Sequence, residues 1–233
     1  MVKIEAREVS LSYPVYDSVS RSLKKKLVCA ATGGRIANDS SGTCIRALED
    51  ISFLFKKGDR VGLIGHNGAG KSTLLKVIAG VYRPSSGSLA VKGTIASLLD
   101  LSLGMDGEFT GYENIIMRSI LMGISMDVIK KSIDDIIEFS ELGEYINMPM
   151  RIYSSGMLLR LAFSTCTAFH ADIILMDEWL SVGDAEFSKK AEDRLMKYIN
   201  KASILVMASH SIELVNKMCN RILHMEHGKM SEV

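Results

Sequence analysis

A glycine-rich stretch between two apolar runs constrains the fold of this chain more than any other feature. The first apolar run covers residues 61–64, glycines follow at Gly65, Gly68 and Gly70, and Lys71 and Ser72 come directly after them. This spacing fits the pattern G-x-x-x-x-G-K-[ST], in which a buried strand enters a loop and the loop opens into a helix. The order of strand, loop and helix predicts an α/β fold.

The same loop indicates a site for a nucleoside triphosphate. Its glycines let successive backbone N–H groups turn toward phosphate oxygens, and the next helix adds unpaired N–H groups and the positive end of its dipole. Lys71 is expected to lie along the β and γ phosphates, and the Ser72 hydroxyl to complete the coordination of Mg²⁺. The alternative, a glycine-rich turn that matches by chance, is disfavoured because both flanking elements are present.

Composition places the chain among ordinary soluble globular proteins. Its 233 residues allow one large α/β domain with a helical insertion, and 47% of them are apolar and 24% charged. A net charge of +1 argues against nucleic-acid binding by bulk electrostatics. No uncharged apolar run reaches the roughly 18 residues of a membrane span, and the N-terminus lacks the apolar core of a signal peptide. We therefore expect a soluble protein that stays in the cytoplasm.

Cysteine and histidine spacing predicts neither a metal site nor a disulfide framework. The four cysteines show no C-x-x-C pattern, which indicates reduced thiols. His224 and His227 form a short H-x-x-H without companion ligands, so no role is assigned to them.

The rest of the chain alternates predicted strands and helices. Residues 110–170 look mostly helical, with Ser125 as an N-cap and with Ile124 and Ile129 at the spacing of a hydrophobic staple. The C-terminal residues resemble a hairpin that turns at His227 and Gly228. Strands are predicted at 2–13, 47–55, 61–64, 172–177 and 203–208, short strands at 84–99, and helices after 71, at 185–200 and at 211–218.

Residues 17–43 look like an insertion, because they are too long for a plain hairpin connection. Val19, Leu23 and Leu27 recur at helical spacing among four basic residues, which predicts a short basic amphipathic helix, and residues 33–43 are expected to form a flexible loop. The helix is either a solvated surface segment or one that lies against anionic lipid or a membrane-embedded partner; the sequence leaves both open.

Two further positions indicate phosphate chemistry. Asp177 closes an apolar strand and can hold Mg²⁺ through water, while the adjacent Glu178 can orient or deprotonate an attacking water. His210 follows a second core strand and is expected near the γ-phosphate. The alternatives are an ordinary acidic strand end and a structural histidine.

Taken in order, these motifs resemble the ATP-binding subunit of an ABC transporter over nearly the whole chain. The sequence YSSGM at 153–157, the acidic strand ending in Asp177 and Glu178, the stretch 181–184 and the pair Ser209–His210 carry the resemblance together with the phosphate loop. It implies a P-loop NTPase fold of the ABC-ATPase type in one domain over 1–233. That fold has a parallel-sheet core, an antiparallel β subdomain and an inserted α-helical subdomain at 110–170.

In that family a signature loop, usually LSGGQ, contacts the γ-phosphate of ATP bound by a partner subunit, and Ser154 to Gly156 occupy its place here. The variant YSSGM, followed by Arg160 and Leu161, resembles exporters of bacterial surface polysaccharides: O-antigen, capsule and teichoic acid. Asp100 stands where those exporters usually have glutamate and most members have glutamine.

The resemblance implies roles position by position. Tyr13, or Tyr16 in its place, stacks on adenine, and Asp184 lies in a loop that communicates between subunits. Asp177 holds the Mg²⁺ water shell, Glu178 is the general base and His210 contacts the γ-phosphate. Nucleotide contacts are implied for Gly65, Asn67, Gly68, Ala69, Gly70, Lys71, Ser72, Thr73, Ser154, Ser155, Gly156 and Asp100, the last also as a further candidate Mg²⁺ ligand.

The implied function is ATP hydrolysis that powers export of a lipid-linked polysaccharide, with O-antigen as the first choice. Two copies would bind two ATP molecules head to tail and act on a separate permease, present in two copies, on the cytoplasmic side of the inner membrane. Capsule, teichoic acid, lipid or drug are alternative cargoes. One rival function is that of a soluble ABC ATPase acting on DNA or ribosomes, a class that ordinarily has a second cassette or a coiled coil. Another is that of a module that binds nucleotide without turnover. No C-terminal carbohydrate-binding domain is expected within 1–233.

Overall fold

The computed structural model describes residues 1–14, 36–39, 42–178 and 185–232. These residues fall into two compact units. The first unit contains Met1–Gly93, Met176–Glu178 and Ser203–Val233, and the second contains Thr94–Leu175 and Trp179–Ala202.

An antiparallel sheet forms one part of the first unit. Its strands, numbered in chain order, are β1 (Lys3–Pro14), β2 (Ile36–Asp39), β3 (Gly42–Lys56) and β5 (Ser86–Lys92), in the spatial order β2-β3-β1-β5. Ile4 of β1 lies opposite Phe55 of β3 on one side and Val91 of β5 on the other. Alternation along β1 buries Ile4 and Ala6, which confirms the predicted first strand.

The strand pair β2–β3 corrects the prediction for the end of the insertion. Residues 33–43 were expected to form a flexible loop and the second strand was expected to begin at 47, yet Ile36–Asp39 pairs with a strand that already starts at Gly42. The two apolar and two polar residues of Ile36–Asp39 follow one another without the alternation that marks a half-buried strand, so the sequence pattern did not reveal the pairing with β3. The predicted basic helix and Tyr16 lie outside the described residues.

A parallel sheet forms the other part of the first unit. It contains β4 (Arg60–Ile64), β8 (Ile204–Ala208) and β9 (Arg221–Glu226), with β10 (Lys229–Glu232) antiparallel to β9, in the order β10-β9-β4-β8. β4 is parallel to both neighbours: Leu63 pairs with Ala208 and Ile64 with His224. The predicted hairpin at His227 and Gly228 is confirmed, because both residues adopt the positive φ that a tight two-residue turn requires.

The described residues of the first unit include two helices: α1 (Lys71–Ile78) after β4, and α6 (Ile212–Met218) after β8. Gly62 in β4 permits the close approach of α6, since a Cβ atom there would lie 2.3 Å from Cγ1 of Val215. The core of this unit is fully buried and includes Ile4, Leu48, Phe55, Val61, Leu63, Leu74, Leu75, Ile78, Val206 and Val215.

The second unit is mainly helical. A short strand, β6 (Ile95–Ser97), pairs in parallel with the first residues of β7 (Ile173–Asp177), whose last two residues belong to the first unit. The helices are α2 (Gly111–Leu121), α3 (Met126–Ser140), α4 (Ser155–Thr167) and α5 (Ala185–Lys201), with 3₁₀ turns at Gly143–Asn147 and Met150–Ile152.

Helix α3 begins as predicted after Ser125, but the Ser125 side chain makes no capping hydrogen bond. A full capping box forms instead at α2, where Thr110 accepts from the backbone N–H of Glu113 and the Glu113 carboxylate accepts from Thr110. The apolar faces of α2, α3 and α4 enclose a core that contains Ile115, Ile129, Ile133, Ile136, Leu142, Ile146, Met150, Leu161 and Phe169.

Candidate functional site

The glycines of the phosphate loop are required by its backbone. Gly65 has φ +145°, and a Cβ atom there would lie 2.1 Å from the carbonyl oxygen of Met225 in β9. Gly70 has φ +114° directly before α1, and a Cβ would lie 2.9 Å from the carbonyl oxygen of Ala47. A side chain at either position forces the backbone to move, so the predicted loop owes its shape to these residues.

Lys71 is folded back over the loop that precedes it. Its side chain is buried, with 6% relative exposure, and its Nζ donates to the carbonyl oxygens of Gly65 at 2.7 Å and His66 at 3.2 Å. Within the described residues no carboxylate lies in salt-bridge contact with this ammonium group. A desolvated cation with only carbonyl partners is ready to pair with an anion.

The turn between β9 and β10 supports the phosphate loop from one side. The backbone N–H of Gly228 donates to the carbonyl oxygen of Ala69 at 2.9 Å, and the Gly228 carbonyl oxygen accepts from Glu49 at 2.9 Å. The rings of His66 and His227 lie beside this contact, with centroids 5.0 Å apart. The sequence predicted the turn, but no local signal linked it to the loop.

Glu178 and His210 come together at strand ends in the same unit. The backbone N–H of Glu178 donates to the carbonyl oxygen of Ala208 at 2.9 Å, and Ala208 pairs with Leu63 of the strand that enters the phosphate loop. Glu178 Oε1 lies 3.5 Å from Nε2 of His210, and both side chains are about half exposed, at 50% and 52%. A carboxylate beside an imidazole at this position can act on a water molecule.

The backbone at Glu178 departs from the strand that precedes it. Glu178 has φ 68°, a left-handed conformation that is uncommon for a residue other than glycine. Asp177, the last residue of β7, is partly buried. The residue before His210, Ser209, donates its backbone N–H to the Leu63 carbonyl oxygen at 3.2 Å, which fixes the start of that segment on β4.

Tyr13 lies near the end of β1 and contacts the helix that follows the phosphate loop. Partial burial raises the pKa of the Tyr13 hydroxyl, which also interacts with the side chains of Thr73 and Tyr82. The Tyr82 ring packs edge to face with the Tyr13 ring, with centroids 5.4 Å apart and planes at 79°. The sequence singled out Tyr13 but not Tyr82, because nothing local to Tyr82 marks it.

The predicted signature residues lie in the second unit at the start of α4. Ser154 is the N-cap, and its hydroxyl accepts from the backbone N–H of Met157 at 3.2 Å. The preceding Tyr153 donates its hydroxyl to the Tyr145 carbonyl oxygen at 2.6 Å, and burial raises the pKa of that hydroxyl. A Cβ atom at Gly111 would lie 2.4 Å from the same Tyr153 oxygen, so any larger residue at the start of α2 would force Tyr153 or the helix to shift.

Asp100, also in the second unit, shapes its own loop. Its Oδ1 accepts from the backbone N–H of Ser102 at 3.1 Å and from the Ser102 hydroxyl at 2.9 Å, and the residue is exposed. Asp184 lies outside the described residues. The nucleotide and metal roles given to the site residues from the sequence therefore remain predictions.

Comparison with known proteins decides the family. Residues 48–181 match the family model described as ABC transporter, which is more than half of the chain. The chain belongs to the ABC transporter family. The matched stretch of this ABC protein includes the phosphate loop, the signature residues and Glu178.

Curated relatives of this ABC protein are named for polysaccharide export. It is 46% identical over 233 residues to the O-antigen export system ATP-binding protein RfbE of Yersinia enterocolitica, covering 100% of this chain and 98% of that protein. It is 37% identical to RfbB of Klebsiella pneumoniae, covering 99% and 92%. It is 36% identical to the teichoic acids export protein TagH of Listeria monocytogenes, covering 100% and 67%. The resemblance predicted from the sequence is confirmed.

Solved structures confirm the predicted ABC-ATPase fold. The dimeric structure of the cassette MJ0796 bound to ADP and phosphate aligns with a TM-score of 0.69 at 19% identity, covering 98% of both chains. The ATP-binding subunit of another ABC transporter aligns with a TM-score of 0.70 at 18% identity, covering 100% and 90%. None of the described helices has the length and apolar character needed to cross a lipid bilayer.

Proposed function

We propose that this chain hydrolyses ATP as the motor subunit of a polysaccharide exporter. The observation that carries the proposal is the pair formed by Glu178 and His210, 3.5 Å apart, in the same unit as a phosphate loop that holds Lys71 without a carboxylate partner among the described residues. A loop of this kind binds phosphate, and the pair supplies the groups that hydrolysis requires.

Each residue has a defined part in the reaction. Lys71 and the loop N–H groups bind the β and γ phosphates, and Glu178 orients the attacking water and accepts its proton. The water oxygen bonds to the γ-phosphorus as the bond to the bridging oxygen of ADP breaks, so ATP and water give ADP and phosphate. His210 contacts the γ-phosphate and, through its proximity to Glu178, keeps that carboxylate at the site.

Mg²⁺ fits the donor set of this unit. The Ser72 hydroxyl is exposed at the start of α1, and Asp177 is partly buried at the end of β7. Mg²⁺ commonly keeps several waters and is bound through one or two protein oxygens together with substrate phosphates, so these two side chains suffice as its protein ligands. The ion would neutralise part of the charge of the phosphates.

Two copies of the chain would form the active assembly. Ser154 to Gly156 belong to the second unit and the phosphate loop to the first, and we propose that the signature residues of one copy complete the site of the other. The structural neighbour MJ0796 is described as a dimer in a post-hydrolysis state, which supports this arrangement. Small residues suit such a contact, because their backbone and hydroxyl donors can approach a phosphate closely.

The cargo we propose is a lipid-linked polysaccharide, with O-antigen first. The support is the 46% identity to RfbE over the whole chain, together with the YSSGM segment. The partner would be a membrane-spanning permease, which holds this subunit on the cytoplasmic side of the inner membrane. The identity to TagH supports teichoic acid as the second candidate cargo.

Turnover is tested with Glu178→Gln, which keeps the size of the side chain and removes the base. Because a general base contributes roughly 10²- to 10⁴-fold, ATP hydrolysis should fall by about that factor while ATP affinity stays near wild type. Gel filtration with ATP should then show a trapped dimer. The matched control is Glu138→Gln, the same change at an exposed glutamate of α3. Normal hydrolysis by Glu178→Gln would rule out the proposed base.

Cargo is tested by expression in a Yersinia enterocolitica strain that lacks RfbE. Restored surface O-antigen, with no restoration by Glu178→Gln, is the expected result. Failure in that strain together with rescue of a Listeria strain that lacks TagH would favour teichoic acid. Rescue of neither strain, even when the chain is expressed with the permease encoded beside its own gene, would contradict polysaccharide export.

A further inference from the structure

Tyr82 lies beside the predicted adenine-stacking residue although it is distant from it in sequence. Its ring packs edge to face with Tyr13 at a centroid distance of 5.4 Å and an interplanar angle of 79°. This geometry is the preferred one for an aromatic pair, because the positive edge of one ring meets the negative face of the other.

The end of α1 places Tyr82 at this position. The chain leaves the helix through Gly80, which has φ 78°, and the N–H groups of Val81 and Tyr82 both donate to the Lys76 carbonyl oxygen, at 2.9 and 3.4 Å. A glycine in the left-handed conformation just after a helix is a common C-terminal cap. The direction in which Tyr82 leaves α1 is therefore fixed by backbone hydrogen bonds.

Tyr13 lies beside both ends of the same helix. Its hydroxyl interacts with the Thr73 side chain in the first turn of α1 and with the Tyr82 side chain just beyond the last turn. These contacts link the Tyr13 ring to the helix that follows the phosphate loop. A ring has two faces, and an edge-to-face contact with Tyr82 occupies at most one of them, so a face of Tyr13 is left by this contact for a stacked base.

We propose that Tyr82 is a positioning residue for adenine: it fixes the orientation in which the Tyr13 ring stacks on the base. The proposal rests on the proposed function, because it needs ATP as the ligand, and on the adenine contact that the family resemblance implies for Tyr13. Tyr82 acts through Tyr13 and does not touch the phosphates. Its loss should weaken binding of the base and leave the phosphate loop unchanged.

The test compares Tyr82→Leu, which removes the ring, with Tyr82→Phe, which keeps it. Tyr82→Leu should raise the KM and the Kd for ATP by about 3- to 10-fold, the range expected for one aromatic pair, with kcat within about twofold of wild type. Tyr82→Phe should recover most of the affinity. Tyr112→Leu, the same change at an exposed tyrosine of the second unit, is the matched control and should bind ATP as wild type does.

Inorganic tripolyphosphate separates the base from the phosphates. Its affinity, measured by calorimetry, should be equal in wild type and Tyr82→Leu, because it reports only on the phosphate loop. In the background of Tyr13→Leu, adding Tyr82→Leu should have no further effect on ATP affinity, since the residue through which Tyr82 acts is already gone.

Three results would overturn the role of Tyr82: unchanged ATP affinity in Tyr82→Leu, equal weakening of ATP and tripolyphosphate, or a further loss of ATP affinity in the double variant. Failure of the proposed function has a different signature. A wild-type chain that binds ATP but never hydrolyses it, with or without its permease, would refute the motor role, and the binding comparison would still decide the role of Tyr82.

Discussion

The contact between Gly111 and Tyr153 gives the sharpest test of how the signature segment is held. In Gly111→Ala the new Cβ would lie 2.4 Å from the Tyr153 hydroxyl oxygen and 3.2 Å from the Ile146 carbonyl oxygen. Overpacking of this kind costs about 1 to 3 kcal/mol, so the free energy of unfolding should fall by that amount. For a chain of this length the midpoint of thermal unfolding should fall by about 2 to 4 °C per kcal/mol.

A second variant isolates the clash. Tyr153→Phe removes the hydroxyl oxygen that meets the new methyl group and also its hydrogen bond to Tyr145, which contributes about 1 kcal/mol. Independent effects would add in the double variant. We expect the double variant to lose less stability than the sum by about 1 kcal/mol or more, because the atom that clashes is absent. ATP hydrolysis should follow the same pattern, since Ser154 comes directly after Tyr153.

The assay is urea unfolding of wild type, the two single variants and the double variant. Amide hydrogen exchange of α2 and α4 is the readout, so that the second unit is observed directly. Gly123→Ala is the control for the glycine-to-alanine change, because a Cβ atom there meets no atom within 4 Å, although its φ of +79° adds backbone strain of its own. The loss in free energy of unfolding caused by Gly123→Ala should therefore be the same with and without Tyr153→Phe. Additive losses in the double variant with Gly111→Ala would refute the proposed clash.

Three further results are expected. Gly65→Ala should abolish ATP binding by calorimetry, because the Cβ would lie 2.1 Å from a carbonyl oxygen of β9; wild-type affinity would contradict this. Lys3 and Arg7 hold the pKa of the Glu5 carboxyl at about 2, below its ordinary 4.5. The ionised Glu5 carboxylate therefore stabilises the folded protein fully above pH 4.5, and this contribution is lost as the pH falls toward 2. The urea midpoint of Glu5→Gln should accordingly fall less than that of wild type over this pH range. Burial raises the pKa of Cys219 to about 11, so its alkylation at pH 8, followed by mass spectrometry, should be about 100-fold slower than in unfolded chain.

The parts of the fold that could be predicted are those with local causes. The phosphate loop is recognisable because Gly65, Gly68 and Gly70 adopt positive φ values that other residues avoid, and their spacing records that need in the sequence. The final hairpin was predicted for the same reason, from His227 and Gly228. In both cases the turn contains glycine because its backbone adopts positive φ values.

Contacts between segments that are distant in sequence could not be predicted from local patterns. Tyr82 and Tyr13 meet only because β1 and the end of α1 lie side by side, and Gly111 is small because Tyr153 packs over it. The strand at Ile36–Asp39 was missed because its pairing with β3, and not an alternating pattern in its own four residues, makes it a strand. A sequence pattern reports the local backbone conformation of a residue, whereas its contacts with distant segments are seen only in the structure.

At Glu178 the sequence predicted the acidic residue, and the structure shows the backbone conformation that orients it. Successive residues of a strand point to opposite faces, so an acidic pair at a strand end would ordinarily send its two carboxylates apart. The left-handed φ of 68° at Glu178 interrupts that alternation at a cost of about 1 to 2 kcal/mol for a residue that is not glycine. The hydrogen bond from its N–H to Ala208 holds the turn, and the turned side chain lies 3.5 Å from His210 Nε2. Glycine would relieve the strain but would remove the carboxylate, so strain retained at this position is what a catalytic role for Glu178 predicts.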